Sequence, residues 1–319
     1  MRRALFLIFF AADAGALLAQ TPARDWPFPS RQTPATASTL GTPTPTPTPG
    51  STPPPYDVPL RQEKWEELPN HEISRDGQTV PGLRPPQWHH GETENFIIHY
   101  RGLSDALQIA REIEFDLWYV AQPLGAANAD YTTKSHVYVF ADEKGWQKFL
   151  ALTHAAPFSH SFAKRDELHL NVRAGGGGFD SQTLAHETTH AVVARIYHRH
   201  WPIWLNEGFA EYMGDASIAA RHSRSPQSTQ RKLPAAKMTV AELFATERYP
   251  AELDAVSELY ATSSKFVRYL YNQYPKELFP KFVERLLADE PTTTALVEIY
   301  GDEFRDLNEF EKRFSRFTR

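Results

Sequence analysis

"LAHETTHAVVARIY", residues Leu184–Tyr197, is the stretch on which the reading of this chain turns. No glycine or proline interrupts it, and apolar residues recur on every side at helical spacing, so it predicts a helix buried all round. Residues four apart share a helix face, which sets the imidazoles of His186 and His190 side by side, close enough to share one ion. Glu187 lies about 100° further round, beside such an ion and not on it. Two imidazoles and a carboxylate in apolar surroundings cost several kcal/mol unless they are partnered. A shared cation removes that cost.

The neighbouring sequence supplies a third ligand. A short polar break, "HRH" (198–200), is followed by "WPIWLNEGFAEY" (201–212). Pro202 suits the first turn of a new helix, from which Glu207 would project toward the two histidines. Imidazole and carboxylate donors suit zinc. Three protein ligands leave one tetrahedral position for water, as catalytic zinc sites do and structural ones do not. The His-Glu-x-x-His order places Glu187 where it can take a proton from that water. The expectation is one Zn2+ per chain, held by His186, His190 and Glu207, with Glu187 as general base.

Working outward, "NFIIHY" (95–100) and the alternating "SHVYVFA" (135–141) read as strands, and "SHSFA" (159–163) and "ELHLNV" (167–172) as two more around a turn. Between the first two, a helix is expected with Ser104 as N-cap and an apolar stripe at 107, 110, 113, 117, 120 and 121. "DEKGWQKFLALT" (142–153) reads as a shorter helix, and the chain is mainly helical from about 203. Strands first and helices later predict an α+β domain over 94–319.

The N-terminal part differs in texture. "MRRALFLIFFAADAGALLAQ" has two arginines, an apolar stretch from Ala4 to Leu18 and small residues after it. It reads as a signal peptide over 1–19, cleaved after Ala16 or Ala19, although Asp13 interrupts the apolar run; an uncleaved membrane anchor is the alternative. The expected location is therefore exported: periplasmic, cell-envelope or extracellular. Residues 20–57 are dominated by proline and threonine and read as an extended, solvated linker. Residues 58–93 show little periodicity and read as an irregular extension. A net charge of -5 offers nothing for nucleic acid or an anionic membrane surface. Cysteine is absent, which excludes disulfides, thiolate ligands and a lipidated cysteine.

From "LAHETTH" through "WLNEGFAEY", both motifs in order and at the right spacing, the chain resembles the gluzincin metallopeptidases. It is most similar to small peptidase-MA-like domains, and more distantly to aminopeptidase N-type enzymes and thermolysin. The resemblance implies a zincin-like fold: an N-terminal mixed sheet with helices, a mainly helical C-terminal part and the active-site helix between them. It implies hydrolysis of peptide or protein substrates by metal-activated water. Under it Glu211 is a carboxylate that orients a ligand histidine, Asn206 a further supporting group, and Tyr260, in "LYATSSKFVRYL" (259–270), the hydroxyl that stabilises the oxyanion. "ELHLNV" resembles the edge strand that pairs with extended substrate. The chain also departs from the family. Sixteen residues separate His190 from Glu207, a slightly short gap. Thr262 and Ser263 stand where aminopeptidases carry lysine and glycine, and the Gly-x-Met-Glu-Asn motif that binds a free amine is missing, so aminopeptidase activity does not carry over. A zinc-containing domain that binds the cell envelope or a protein partner without catalysis is the alternative.

Other features have plainer readings. "HRH" (198–200) reads as exposed loop, His160 and His169 as structural strand residues, and Gly175–Gly178 as a flexible rim, since no Gly-Lys-Ser/Thr follows to make a phosphate loop. "DEFRDLNEFEKRFSRFTR" reads as an amphipathic terminal helix.

Overall fold

A computed structural model describes residues 53–55, 57–80, 88–126, 133–155, 157, 159–173, 180–222 and 235–317. The expected signal peptide, nearly all of the Pro/Thr-rich segment and the four glycines Gly175–Gly178 lie outside the described residues. The fold is α+β, with a mixed six-stranded sheet in the N-terminal part and helices in the C-terminal part.

The strands are β1 (Arg61–Glu63), β2 (His89–Glu92), β3 (Phe96–Tyr100), β4 (Ser135–Phe140), β5 (Ser161–Lys164) and β6 (Glu167–Asn171), in the order β1-β2-β3-β4-β6-β5. β3, β4 and β6 run parallel, with Ile98 opposite Val137 and Val139 opposite Leu170, and the remaining pairs are antiparallel. Strand side chains alternate between faces, and both faces are covered. Phe96, Ile98, Val137, Val139, Leu168 and Leu170 join one core, against α2 (Leu103–Ala121) and α4 (Ser181–Tyr197). Ile97, Tyr138, Phe140 and Phe162 join the other, with Trp146 and Phe149 of α3 (Glu143–Thr153) and with Trp65, Leu68, Val80 and Trp88. Burial on both faces explains why β3 shows no polar alternation.

Three expectations change. The segment 58–93 is not wholly irregular: it supplies β1, β2 and the short helix α1 (Arg75–Thr79). Its β2 is "HHGE", whose buried members are His90, Gly91 and Glu92. Glu92 is matched by Arg61 and Lys134, so no apolar pattern marks the strand. The N-cap of helix α2 is Gly102, not Ser104, and the helix begins at Leu103. Its buried stripe runs through Ala106, Ile109, Ala110, Ile113 and Leu117, while Leu107 is 41% exposed, one helical step outside the stripe. Finally, "ELHLNV" is not at the sheet edge: β6 lies between β4 and β5, and β5 is the edge.

The second face also buries a row of imidazoles. His90 and His99 share a hydrogen bond between their Nδ1 atoms (2.8 Å), and His99 Nε2 meets His136 Nδ1 at 2.9 Å. His99 thus donates on one side and accepts on the other. Tyr138 stacks between His99 and His169, with ring centroids 4.8 Å from each. Ser74, the N-cap of α1, closes over this row through two hydrogen bonds to Glu167, each 2.5 Å. The Tyr138 hydroxyl presses so close to Gly77 that a Cβ there would sit 2.3 Å from it.

The C-terminal helices are α5 (Ile203–Arg221), α6 (Val240–Phe244), α7 (Leu253–Gln273), α8 (Leu278–Leu287), α9 (Thr292–Tyr300) and α10 (Leu307–Arg316). Phe310 and Phe314 of α10 are buried against Phe266 and Tyr269 of α7, as expected of an amphipathic end helix. α5 packs between α4 and α7. A Cβ on Gly208 would lie 2.4 Å from the Ser263 carbonyl oxygen, so only glycine lets α7 come this near to Glu207. Among the described residues, no helix is long and apolar enough to cross a membrane.

Candidate metal centre

The centre is built on α4 and α5. Asp180 caps α4, accepting from Gln182 N–H at 3.1 Å, and the helix ends at His198 in the left-handed conformation. The exposed "HRH" turn follows, and Pro202 then sits one residue ahead of α5 as its N-cap, its carbonyl accepting from the Leu205 and Asn206 N–H groups. Below the centre, Asp215 of α5 accepts from Gln182 of α4 (2.6 Å) and from Arg268 of α7 (3.0 Å). This buried charge is satisfied from both sides and fixes the three helices to one another.

In that frame the Nε2 atoms of His186 and His190 are 3.0 Å apart. Glu207 Oε2 lies 3.4 Å from the first and 3.6 Å from the second. Among the described residues these three form the one group of histidine and acidic side chains able to hold a metal ion. His186, Glu187, Glu207 and Glu211 are all buried. His190, with its side chain 10% exposed, is the most open member. Glu211 Oε1 is 3.2 Å from His186 Nδ1, a contact that holds a proton on Nδ1 and aims Nε2 at Glu207. His190 Nδ1 has no hydrogen-bond partner among the described residues.

The electrostatics follow from burial opposed by neighbours. Burial alone would depress the His186 pKa; the carboxylates of Glu207 and Glu211 reverse this and carry it up to about 9. Burial would raise Glu207, but the two imidazoles hold it well below the usual carboxylate range. Glu187 stays raised by burial, with His186 and His190 pulling it part of the way back. Its Oε1 accepts a 3.0 Å hydrogen bond from the hydroxyl of Ser161.

Ser161 and Tyr249 were not expected at this place. Ser161 belongs to the edge strand β5, so the strand beside Glu187 is β5 and not β6. Asn171 N–H donates to the His160 carbonyl, and in an antiparallel ladder these bonds fall on alternate residues. The N–H and C=O of Ser161 and Ala163 therefore face the free edge. Tyr249, on the loop between α6 and α7, donates to Glu207 Oε1 at 2.5 Å. Nothing in its setting, "ERYPAEL" (247–253), marks it in the sequence. Tyr260 of α7 is buried, with its ring centroid 6.2 Å from that of His186 and a hydrogen bond to Glu207. Asn206 is half-buried, and among the described residues no hydrogen bond of its side chain joins it to the cluster. His169 is buried in β6 on the other face of the sheet, consistent with its structural reading, and His160 sits in a bend just before β5.

Set against known protein families the chain matches none, and no curated protein matches it.

Proposed function

We propose that the chain is an exported zinc-dependent peptidase of the gluzincin kind, with a zincin-like fold. The observation that carries this reading is the convergence of His186, His190 and Glu207, with the buried carboxyl of Glu187 beside them. Two imidazoles and a carboxylate fit zinc, and three ligands leave a position for water. Zinc, when bound, lowers the pKa of water to about 7 and polarises a carbonyl. Glu187 takes the proton as water attacks the peptide carbonyl and passes it to the leaving amine. Burial raises its pKa above the ordinary carboxylate value, which strengthens it as a proton acceptor. Glu211 keeps His186 in the tautomer whose Nε2 can act as a ligand. The hydroxyl of Tyr260, kept protonated by burial and by Glu207, would turn from that carboxylate to donate to the developing oxyanion. An extended peptide can add to the free edge of β5, which carries its backbone past Ser161 and Glu187.

The test is elemental analysis of the purified protein together with cleavage of casein, with and without a chelator. One zinc per chain and chelator-sensitive cleavage are expected; stoichiometric zinc without cleavage of any unstructured protein removes the catalytic reading. Tyr260→Phe is expected to lower turnover about a hundredfold at unchanged zinc content, and wild-type kinetics in this variant would remove its role.

A further inference from the structure

We propose that Tyr249 is a positioning residue for the metal ligand Glu207. It would select Oε2 as the coordinating oxygen and couple the loop between α6 and α7 to metal affinity. This rests on the metal-site reading above but not on peptidase activity. A glutamate reaches its ion through a flexible side chain, and its carboxylate can turn to offer either oxygen or both. Here the two oxygens have different surroundings. Oε2 faces the Nε2 atoms of both histidines, while Oε1 is engaged by the Tyr249 hydroxyl at 2.5 Å. Glu207 is fully buried, so water is poorly placed to take over that hydrogen bond. The donor is also a neutral phenol. An ammonium or guanidinium at this place would satisfy Oε1 equally well but would repel a divalent cation. Groups that hydrogen-bond a metal ligand typically contribute 10–100-fold to metal affinity.

The two tyrosines near Glu207 then have separable tasks. Tyr249 reaches it from a half-exposed loop position, and Tyr260 from within α7, with its ring beside His186. Both hydrogen-bond Glu207, but only Tyr260 also stands beside His186, where a reacting carbonyl would lie.

Zinc affinity measured by competition with a chromophoric chelator, without substrate, tests this. Tyr249→Phe keeps the ring and its packing, and is expected to bind zinc roughly 10–100-fold more weakly and to shift the visible absorption of the cobalt(II)-loaded protein. A thermal melt in excess chelator that matches wild type shows that the fold is intact. Tyr249→His, which keeps a neutral ring N–H, is expected to recover part of the affinity and serves as the second variant should Tyr249→Phe fold poorly. Zinc affinity within twofold of wild type in Tyr249→Phe, with an unchanged cobalt spectrum, overturns the proposal, as does a folded Tyr249→His protein that binds zinc at least about 100-fold more weakly than wild type although it keeps a donor. A wild-type chain that binds no zinc overturns the metal reading itself, which keeps the two failures distinct.

Discussion

Glu187→Gln is expected to keep one zinc per chain and to lose about two to four orders of magnitude in turnover, the usual contribution of a positioned general base. The substitution is nearly isosteric, and the amide oxygen can still accept the hydrogen bond that Ser161 gives to Oε1. Packing around a side chain this buried is therefore preserved. What is lost is the ability to take up a proton near neutral pH. No neighbouring carboxylate is placed to substitute, since Glu207 is engaged by the histidines and Tyr249 and Glu211 by His186. Glu207→Ala is the contrasting case. It removes a ligand, so zinc itself is expected to fall below stoichiometric levels, and activity disappears for a different reason. Metal content by elemental analysis beside kcat separates the two. A Glu187→Gln protein that turns over at the wild-type rate leaves the base unidentified.

The cluster of His186, His190 and Glu207 could be read from sequence because helical periodicity is a local property. His186 and His190 are four apart, and Glu207 and Glu211 repeat that spacing on the next helix, so each pair has to share a face. Ser161 and Tyr249 could not be read in this way. They reach Glu187 and Glu207 from 26 and 42 positions away, through packing that no repeat announces. The sheet divides along the same line. β3, β4, β5 and β6 carry apolar residues that mark them as strands, but their lateral order depends on a parallel crossover from β4 to β6 that a hairpin-like stretch of sequence does not reveal. That crossover puts β5 and not β6 at the edge. β2 was hidden because its buried residues are an imidazole, a glycine and a carboxylate. Such residues can line a sheet only when partners satisfy them, His99 on the next strand and Lys134 42 positions on.

Those buried imidazoles give the second large effect: His136 and His169 together are expected to withdraw roughly 4 kcal/mol of stabilisation between about pH 8 and about pH 5. Burial pushes His136 down to about 4, with Asp166 opposing, and His169 down to about 3, with Lys164 adding to the fall. His90 is pushed down to about 4 by burial and by His89, with Glu66 opposing, and His99 goes well below its ordinary value through burial and the neighbouring histidines. An imidazole whose folded pKa lies below its unfolded value of 6.5 binds its proton more weakly in the native state. Its stabilisation is complete above that value and is lost as pH falls through 6.5 toward the folded pKa. At about pH 5 the cost is about 2 kcal/mol each for His136 and His169, and His90 and His99 add with the same sign. Two buried acids run the other way. Burial raises Glu167 to about 7, against the Ser74 hydrogen bonds, and Asp116 to about 6, against Arg221 and Ser217. Protonating them on acidification relieves part of the loss, as do His186 and Glu187, whose raised pKa values likewise favour the fold as pH falls. Urea unfolding followed by circular dichroism across this range measures the net slope, and His169→Leu isolates one contributor. Neither ring nitrogen of His169 has a hydrogen-bond partner among the described residues, and leucine is close to it in volume. The variant should therefore differ little from wild type at about pH 8 while shedding about 2 kcal/mol of the acid loss. A His169→Leu profile whose acid loss matches that of wild type would show that this imidazole titrates as freely in the native state as in the unfolded chain.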